Sequence, residues 1–277
     1  MSARYAVIGH PIRHSLSPRI HAEFARQTGE KLIYTTIEAP LDGFAEAVAA
    51  FRADGGLGLN VTVPFKQEAF ALATELTPRA RRAGAVNTLS FADDKSIGGD
   101  TTDGVGLRRD LEHNLGLTLE GQRILILGAG GAARSVLEPL LERNPLSLVI
   151  ANRTATTAES LAQSFAGMGA LGGIGLKELD GEMPFDLVIN ATSAGLSGQS
   201  LPLPNTIFAA NAVAYDMVYG SEPTPFLRWA RSQDVALIAD GLGMLVEQAA
   251  ESFHIWRGER PQTQPVIAQL RNTLVKT

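Results

Sequence analysis

Cysteine is absent from this chain of 277 residues. Its absence excludes disulfide bonds, a cysteine nucleophile, thiolate-ligated zinc and iron–sulfur clusters. Positive charge is also scarce, because 24 lysines and arginines face 29 aspartates and glutamates, which gives a net charge of −5. A chain with this charge has no general attraction to nucleic acid or to an anionic membrane, so we expect neither as a partner.

A signal peptide and a long apolar run are lacking as well. Residues 1–5 do not show the basic start and apolar core of a signal peptide, and no apolar run is long enough to cross a bilayer. We therefore expect a cytoplasmic protein. The chain has no G-x-S-x-G motif, so a serine-triad hydrolase has no support. His10 and His14 have a metal-like spacing, but Pro11 disfavours a helix there, and we expect no metal site.

The chain instead alternates apolar runs with helix signals. Hydrophobic residues make up 45% of it and charged residues 19%, a globular composition. Strands are predicted at residues 5–9, 32–37, 57–62, 123–127, 147–151, 185–190, 213–217 and 235–239, with a weakly patterned strand between 167 and 175. Helices are predicted from Ser17, as an N-cap before Pro18, and over residues 41–52, 66–73, 105–115, 132–141, 242–256 and 265–275. This alternation predicts an α/β fold with mostly parallel sheets.

A glycine-rich turn follows the strand at 123–127. The residues Gly128, Ala129, Gly130, Gly131 and Ala132 lead from that strand into a helix, and a second strand follows at βαβ distance. Glycines let the backbone approach a pyrophosphate, whose charge is favoured by the free N–H groups at a helix N-terminus. An ordinary tight turn could use the same residues, but the βαβ context favours nucleotide binding.

The end of the second strand indicates which nucleotide is bound. It reads Asn152-Arg153-Thr154, whereas an NAD site usually has an acidic residue here to accept hydrogen bonds from the ribose 2′-hydroxyl. Arginine and threonine suit the 2′-phosphate of NADP, which needs positive charge and donors. Without the glycines upstream, Arg153 would be an ordinary surface residue.

Polar residues also follow several other strands. They lie at 14–18, 60–66, 85–88, 100–104 and 190–195. A buried polyhydroxylated ligand requires such a lining, because each hydroxyl needs a partner. Each residue also has a structural explanation of its own: helix caps at Ser17 and Asp103, a turn at Asn87, and a solvated lysine at Lys66. Their coincidence at strand ends favours a binding site.

Taken together, these segments resemble the shikimate dehydrogenase family, the NADP-dependent reductases of aromatic amino acid biosynthesis. The resemblance is collinear over the whole chain and includes residues 7–18, 60–66, 84–88, 102–104, 128–132, 152–154, 190–193, 215–219, 224–227 and 239–249. It implies a two-domain α/β enzyme. A doubly wound Rossmann domain for NADP would span 104–245. An α/β substrate domain with a mostly parallel sheet would span 1–103, completed by C-terminal helices at 246–277.

The resemblance also implies a reaction and the residues for it. The reaction would be the reversible reduction of 3-dehydroshikimate to shikimate by NADPH, with Lys66 and Asp103 as the catalytic pair. A lysine beside the carbonyl oxygen can protonate the alkoxide that hydride addition leaves, and the aspartate would orient it. Substrate would be held by Ser15, Ser17, Asn60, Thr62, Lys66, Asn87, Asp103, Tyr219 and Gln248, with the two serines and Tyr219 on its carboxylate. NADP would be held by Gly128, Ala129, Gly130, Gly131, Ala132, Asn152, Arg153, Thr154, Thr157 and Thr192, with Met217 and Gly241 beside the nicotinamide.

Three positions depart from the family pattern. Thr101 replaces a usual asparagine, Pro78 replaces a common acidic residue, and Thr157 stands where a basic residue often contacts the 2′-phosphate. The last change weakens the expectation of a strong NADP preference.

Two other functions remain open on the sequence alone. One is a quinate or dual quinate/shikimate dehydrogenase, which commonly prefers NAD, and Arg153 argues against it. The other is a catalytically inactive nucleotide sensor, and the retained Lys66 and Asp103 argue against that. A homodimer is compatible with the sequence, which does not determine the oligomeric state.

Overall fold

The protein is described by a computed structural model covering residues 2–192 and 201–275. It divides into two compact units: Met1–Gly106 with Val246–Val266, and Leu107–Leu245 with Ile267–Thr277. The sequence placed the boundary at residue 103 and assigned all of 246–277 to the first domain. Residues 267–277 belong to the second unit instead, because Arg271 forms an ion pair with Asp240 of that unit, at 2.8 Å from Nη1 to Oδ2.

The first unit is built on a mixed six-stranded sheet. Its elements are β1 Ala3–Gly9, α1 Ser17–Thr28, β2 Leu32–Glu38, α2 Phe44–Ala53, β3 Gly56–Val61, α3 Lys66–Leu72, β4 Glu75–Leu76, α4 Pro78–Ala83, β5 Thr88–Phe91 and β6 Ile97–Asp100. The strand order is β2-β1-β3-β5-β6-β4, with antiparallel pairing only of β3 with β5 and of β5 with β6 among the described strands. Strands β4 to β6 were not predicted, because they are two to four residues long and carry no clear apolar period.

The second unit is a doubly wound parallel sheet. Its strands and helices are β7 Arg123–Leu127, α6 Gly131–Leu141, β8 Ser147–Asn152, α7 Ala155–Gln163, β9 Leu171–Gly175, β10 Phe185–Asn190, β11 Phe208–Asp216, α8 Pro225–Arg231 and β12 Leu237–Asp240. Three further helices each begin in one unit and end in the other: α5 Asp103–Arg109, α9 Leu242–Arg257 and α10 Gln264–Leu274. The order β12-β11-β10-β7-β8-β9 is that of a dinucleotide-binding Rossmann fold, and all the described pairings are parallel.

Both faces of this parallel sheet are buried. Along β7, Ile124 and Ile126 join one apolar cluster while Leu125 and Leu127 join another on the opposite face. Helices cover both faces, so the strand is a continuous apolar run rather than an alternating one. The first unit has a separate core that contains Ile8, Leu59, Phe65 and Leu89. Within residues 2–192 and 201–275, no helix has the length and apolar character that a membrane span requires.

An aromatic cluster joins α1, β2 and α9 within the first unit. The His21 imidazole is fully buried and stacks on the Tyr34 ring, with 4.0 Å between ring centroids and 6° between planes. The ring centroids of Trp256 and Phe253 lie 5.6 and 6.2 Å from that of His21. Burial lowers the pKa of His21 to about 3, and the neighbouring Asn60 side chain offsets only part of this effect.

We expect His21 to make stability depend on pH. The folded protein keeps this imidazole neutral, whereas the unfolded chain takes up its proton below a pKa of about 6.5. The unfolded state therefore binds more protons between pH 6.5 and about 3, and the free energy of unfolding falls as the pH drops through that window, by up to about 1.4 kcal/mol per pH unit.

Urea unfolding of the wild type and of His21→Phe at several pH values measures this contribution. The phenylalanine ring preserves the stack but cannot take up a proton, so the variant should lose less stability than the wild type on acidification. Equal losses of unfolding free energy on acidification in the two proteins would show that His21 does not cause the pH dependence.

Candidate functional site

An ion pair lies at the centre of the polar cluster in the first unit. Lys66 is the first residue of α3 and Asp103 is the first residue of α5, so the pair joins two helix N-termini. Lys66 Nζ donates to Asp103 Oδ2 at 2.5 Å, and the two side chains are 31% and 12% exposed. The ammonium is therefore held by a carboxylate on one side while its side chain stays accessible from solvent.

Asn87 fixes the other oxygen of that carboxylate. Asn87 is 3% exposed, and its Nδ2 donates to Asp103 Oδ1 at 2.9 Å. The backbone N–H of Thr102 donates to Asn87 Oδ1 at 2.8 Å, which sets the orientation of the amide, since a backbone N–H can only donate. Gln248 of α9 joins this group through its Oε1, which lies 3.2 Å from Asn87 Nδ2 and 3.3 Å from Thr102 Oγ1.

Asn60 at the end of β3 is buried and held from two sides. Its Oδ1 accepts from the Tyr34 hydroxyl at 2.7 Å, and its Nδ2 donates to Ser252 Oγ at 2.9 Å. Burial raises the pKa of Tyr34 well above its usual value, so this phenol stays protonated and remains a donor. The Ser17 side chain also hydrogen-bonds to Tyr34, which connects α1 to the end of β3.

The start of α1 differs from the sequence prediction. Ser17 was predicted as the N-cap, but the cap position is Leu16, and its side chain makes no capping bond. Ser15 Oγ instead accepts from the Ser17 N–H at 3.2 Å, so a serine two residues upstream satisfies the first amide of the helix. The prediction was wrong because Ser17 itself is already helical, with Pro18 following it. Ser17 is buried and Ser15 is half-buried.

The other two predicted substrate residues are placed as follows. Thr62 follows β3, is half-buried, and donates its backbone N–H to Ile8 O at 3.0 Å. The Val63–Pro64 peptide after it is cis, an isomer that the sequence did not determine. Tyr219 belongs to the second unit and is not part of the network described above. Burial, aided by the charge of Asp240, raises the pKa of Tyr219, so its phenol is neutral near pH 7.

The glycine-rich turn of the second unit leads from β7 into α6. Gly128 has φ of +100°, a conformation that favours glycine, and a Cβ there would lie 2.9 Å from Thr192 Cγ2. The helix begins at Gly131, one residue before the predicted start, with Gly130 as a cap that has no side chain. A Cβ on Gly130 or Gly131 would meet nothing within 4 Å, and both residues and Ala132 are exposed. The first N–H groups of α6 are therefore open to an anion.

The residues predicted to select the nucleotide lie at the end of β8. Arg153, Thr154 and Thr157 are exposed, and Asn152 is half-buried with its Nδ2 donating to Thr154 O at 3.1 Å. In the part of the chain that the structure describes, the Arg153 guanidinium makes no ion pair or hydrogen bond. It is thus a cation available for a phosphate.

A buried carboxyl group, for which the sequence predicted no role, organises the ends of β10 and β11. Asp216 is fully buried and accepts from Asn190 Nδ2 at 3.1 Å, Thr224 Oγ1 at 2.5 Å and the Val218 N–H at 3.0 Å. Burial raises its pKa despite these bonds. Asn190 Oδ1 in turn accepts from Thr192, at 2.7 Å from its hydroxyl. Ser193, which extends this predicted cluster, lies outside the described residues.

Met217 and Gly241 are in direct contact. A Cβ on Gly241 would lie 2.2 Å from the Met217 carbonyl oxygen, so only glycine allows the end of β12 to approach the end of β11 this closely. The residue after β11 and the residue after β12 therefore form one edge of the second sheet.

The sequence indicated most residues of these clusters but not several of their hydrogen-bond partners. Tyr34, Thr88, Thr102 and Ser252 are structural members of the first-unit network that it did not assign a role. Thr88 and Thr102 lie within the polar segments 85–88 and 100–104 noted in the sequence, which is a local signal. Tyr34 and Ser252 carry no such signal, since they come from an edge strand and from a helix distant in the sequence.

Family models match three stretches of the chain. The shikimate dehydrogenase substrate binding domain matches residues 7–89, the shikimate / quinate 5-dehydrogenase model matches residues 110–197, and the shikimate 5′-dehydrogenase C-terminal domain matches residues 241–271. Together these matches cover most of the chain.

Individual proteins are similar to it over nearly their whole length. A shikimate dehydrogenase (NADP(+)) of Methylobacillus flagellatus is 61% identical over 97% of this chain and 98% of the relative. The crystal structure of an Ael1 enzyme from Pseudomonas putida is 48% identical with a TM-score of 0.93, covering 97% of this chain and 98% of that one. The shikimate 5-dehydrogenase of Thermus thermophilus, in complex with NADP(H) and shikimate, is 33% identical with a TM-score of 0.86, covering 98% and 100%.

Proposed function

Because this chain belongs to the shikimate dehydrogenase family, we propose that Lys66 and Asp103 carry the chemistry of that family here. The activity is the NADP-dependent reversible reduction of 3-dehydroshikimate to shikimate, an oxidoreductase reaction of aromatic amino acid biosynthesis. The observation that supports the residue assignment is the 2.5 Å contact of Lys66 with an aspartate that Asn87 also holds.

Lys66 supplies and removes the proton. NADPH, when bound, provides the hydride for the carbonyl carbon. The carbonyl oxygen then becomes an alkoxide, and the Lys66 ammonium beside it donates a proton to form the alcohol. In the reverse direction the neutral lysine accepts the hydroxyl proton. Asp103 accepts a hydrogen bond from the ammonium and so holds it in position in both directions.

Amide groups orient the ring. Asn60, Asn87 and Gln248 present both donors and acceptors, and with Thr62 they meet the ring hydroxyls of shikimate, which require partners once they leave water. Ser15 and Ser17 contact the carboxylate through their hydroxyl groups. Tyr219 assists them, since its raised pKa keeps the phenolic proton in place near neutral pH.

The second unit fits NADP. The residues Gly128, Ala129, Gly130, Gly131 and Ala132 hold the pyrophosphate, because the open first turn of α6 offers N–H groups without side chains in the way. Arg153, with Asn152, Thr154 and Thr157, meets the 2′-phosphate. Met217 and Gly241 lie beside the nicotinamide, and Thr192 is a further cofactor residue. The first compact unit is accordingly the substrate-binding unit, and the second is the NADP-binding unit.

A direct assay tests the activity together with its two alternatives. The protein is mixed with shikimate or quinate and with NADP or NAD, and the absorbance of the reduced cofactor is followed. We expect turnover with shikimate and NADP to be the most efficient of the four combinations. Preference for quinate with NAD would indicate the quinate enzyme, and no turnover in any combination would indicate a nucleotide sensor.

The serines at the start of α1 give a more local prediction. Ser15→Ala with Ser17→Ala should raise the KM for shikimate and leave the KM for NADP unchanged, because both hydroxyls lie in the first unit. Steady-state kinetics with each substrate varied in turn measures this. The single variants separate the roles, since Ser15 also accepts the first helix amide and Ser17 does not. Equal losses for shikimate and NADP would contradict the assignment.

Two further proposals concern location and assembly. The protein works in the cytoplasm, as the sequence indicates, and a homodimer is the assembly to test, because the sequence allows one without determining it. Cell fractionation tests the first and light scattering of the purified protein tests the second.

A further inference from the structure

One buried hydroxyl connects α9 to three parts of the first sheet. Ser252 is fully buried on α9, one turn after Gln248. Its Oγ lies 2.9 Å from Asn60 Nδ2, 2.8 Å from Thr88 Oγ1 and 3.3 Å from Thr102 Oγ1. These partners come from β3, β5 and the segment that follows β6. The side chains of Asn60, Thr88 and Thr102 therefore meet around the Ser252 oxygen, to which no role in binding or catalysis has been assigned.

Counting protons assigns the direction of each bond. The Asn60 amide can only donate through Nδ2, so Ser252 Oγ accepts there. Ser252 donates its own proton to Gln248 O, at 3.1 Å within the helix. Its second lone pair then accepts from the Thr88 hydroxyl, the shortest of its contacts. This assignment uses the proton and both lone pairs of Ser252, so the more distant Thr102 hydroxyl, at 3.3 Å, packs against Ser252 and directs its own proton elsewhere.

The Asn87 amide, oriented by the Thr102 N–H, is linked to this count through Thr88. With the Thr88 proton directed to Ser252, Asn87 Oδ1 accepts from the Thr102 N–H at 2.8 Å and from the Thr102 hydroxyl at 3.2 Å. Asn87 Nδ2 donates to the Asp103 carboxylate at 2.9 Å. Removing the Ser252 oxygen would turn the Thr88 hydroxyl toward Asn87 Oδ1, which lies 3.0 Å from it. It would also take from Asn60 its shortest acceptor.

We propose that Ser252 is a positioning residue for the substrate ring. Its hydroxyl accepts from the Asn60 amide and draws the Thr88 proton away from Asn87 Oδ1, so that both amides keep the positions from which they meet the ring hydroxyls of shikimate. This inference rests on the proposed role of those two asparagines. We do not place Ser252 in contact with substrate or cofactor. It acts through the Asn60 and Asn87 amides.

A matched pair of variants isolates the hydroxyl from packing. Ser252→Thr and Ser252→Val add side chains of nearly the same shape, and only threonine keeps the oxygen. We expect the KM for shikimate to be about tenfold higher in Ser252→Val than in Ser252→Thr, because a buried amide loses its partner. The KM for NADP and the thermal midpoint should be similar in the two variants, since the added volume is the same. Equal KM values for shikimate in the pair would overturn the proposal.

A substrate analogue distinguishes positioning from general disorder. With a shikimate analogue that lacks one of the non-reacting ring hydroxyls, the difference between the valine and threonine variants should shrink, because the amide has less to recognise. A difference that stays the same for all such analogues would also overturn the proposal. If the wild type shows no shikimate oxidation, the failure lies with the proposed function instead.

Thr88 provides the same test from the strand side. Thr88→Val removes only the hydroxyl and preserves the shape of a side chain that is 1% exposed. It should raise the KM for shikimate in the same direction, and this readout remains if the Ser252 variants do not fold. A folded Thr88→Val protein with an unchanged KM for shikimate would contradict the hydroxyl chain.

Discussion

Lys66→Ala is expected to lower the turnover of shikimate by about 10²–10⁴-fold, the usual contribution of a positioned general acid or base. The variant removes the ammonium that donates to Asp103 at 2.5 Å, while Asn60 and Gln248 of the binding network remain. The affinity for shikimate should therefore change much less than the turnover. Steady-state kinetics together with a direct shikimate binding measurement separates the two quantities.

Two controls accompany this variant. Lys66→Met keeps most of the length of the side chain without the charge, so it should be as inactive as the alanine variant. Lys31→Ala removes an exposed lysine before β2 and should leave turnover unchanged. Turnover close to that of the wild type in Lys66→Met would remove Lys66 from the proton transfer.

Arg153→Ala is expected to weaken NADP binding by roughly 10–100-fold and NAD binding very little. The 2′-phosphate carries up to two negative charges, and hydrogen bonds to charged groups contribute about 1.5–3 kcal/mol each. Arg153 is exposed and makes no ion pair with the described residues, so none of these residues competes with the phosphate for it. Thr157 adds no charge. Arg153 should therefore provide most of the discrimination, and the variant should bind the two cofactors with similar affinity.

Titration of each cofactor into wild type and variant measures this difference. Arg231→Ala is the matched control, because it removes one exposed arginine of the same unit at the end of α8. An Arg153→Ala protein that still prefers NADP by the wild-type ratio would show that Asn152, Thr154 or backbone N–H groups recognise the 2′-phosphate.

The sequence predicted the second unit better than the first. Strands β7, β8 and β10 are buried on both faces, so each is an apolar run that ends where the chain leaves the sheet. The short strands β4 to β6 contain Gly98 and Gly99, and their pairing depends on contacts distant in the sequence rather than on a local pattern. The N-cap at Ser17 was mispredicted for a similar reason, since a local motif does not show which of two nearby serines meets the first amide.

The residues of the candidate site were likewise predictable only where a local motif contains them. Lys66, Asn87 and Asp103 were named as candidates because they lie in motifs at strand ends. Ser252 was not found, because a serine in a helix is recognisable only from the groups that surround it. Asp216 was quoted within a motif but given no role, and its importance appears only in the three segments that it ties together.

A crystal structure of this protein with shikimate and NADP tests the central assignment most directly. We predict that the hydroxyl on the reacting carbon of shikimate lies within hydrogen-bonding distance of Lys66 Nζ, with Asp103 still paired to that lysine. The other ring hydroxyls should contact the Asn60 and Asn87 amides. A complex in which the shikimate carboxylate occupies the place beside Lys66, and the reacting hydroxyl contacts neither Lys66 nor Asp103, would contradict the account.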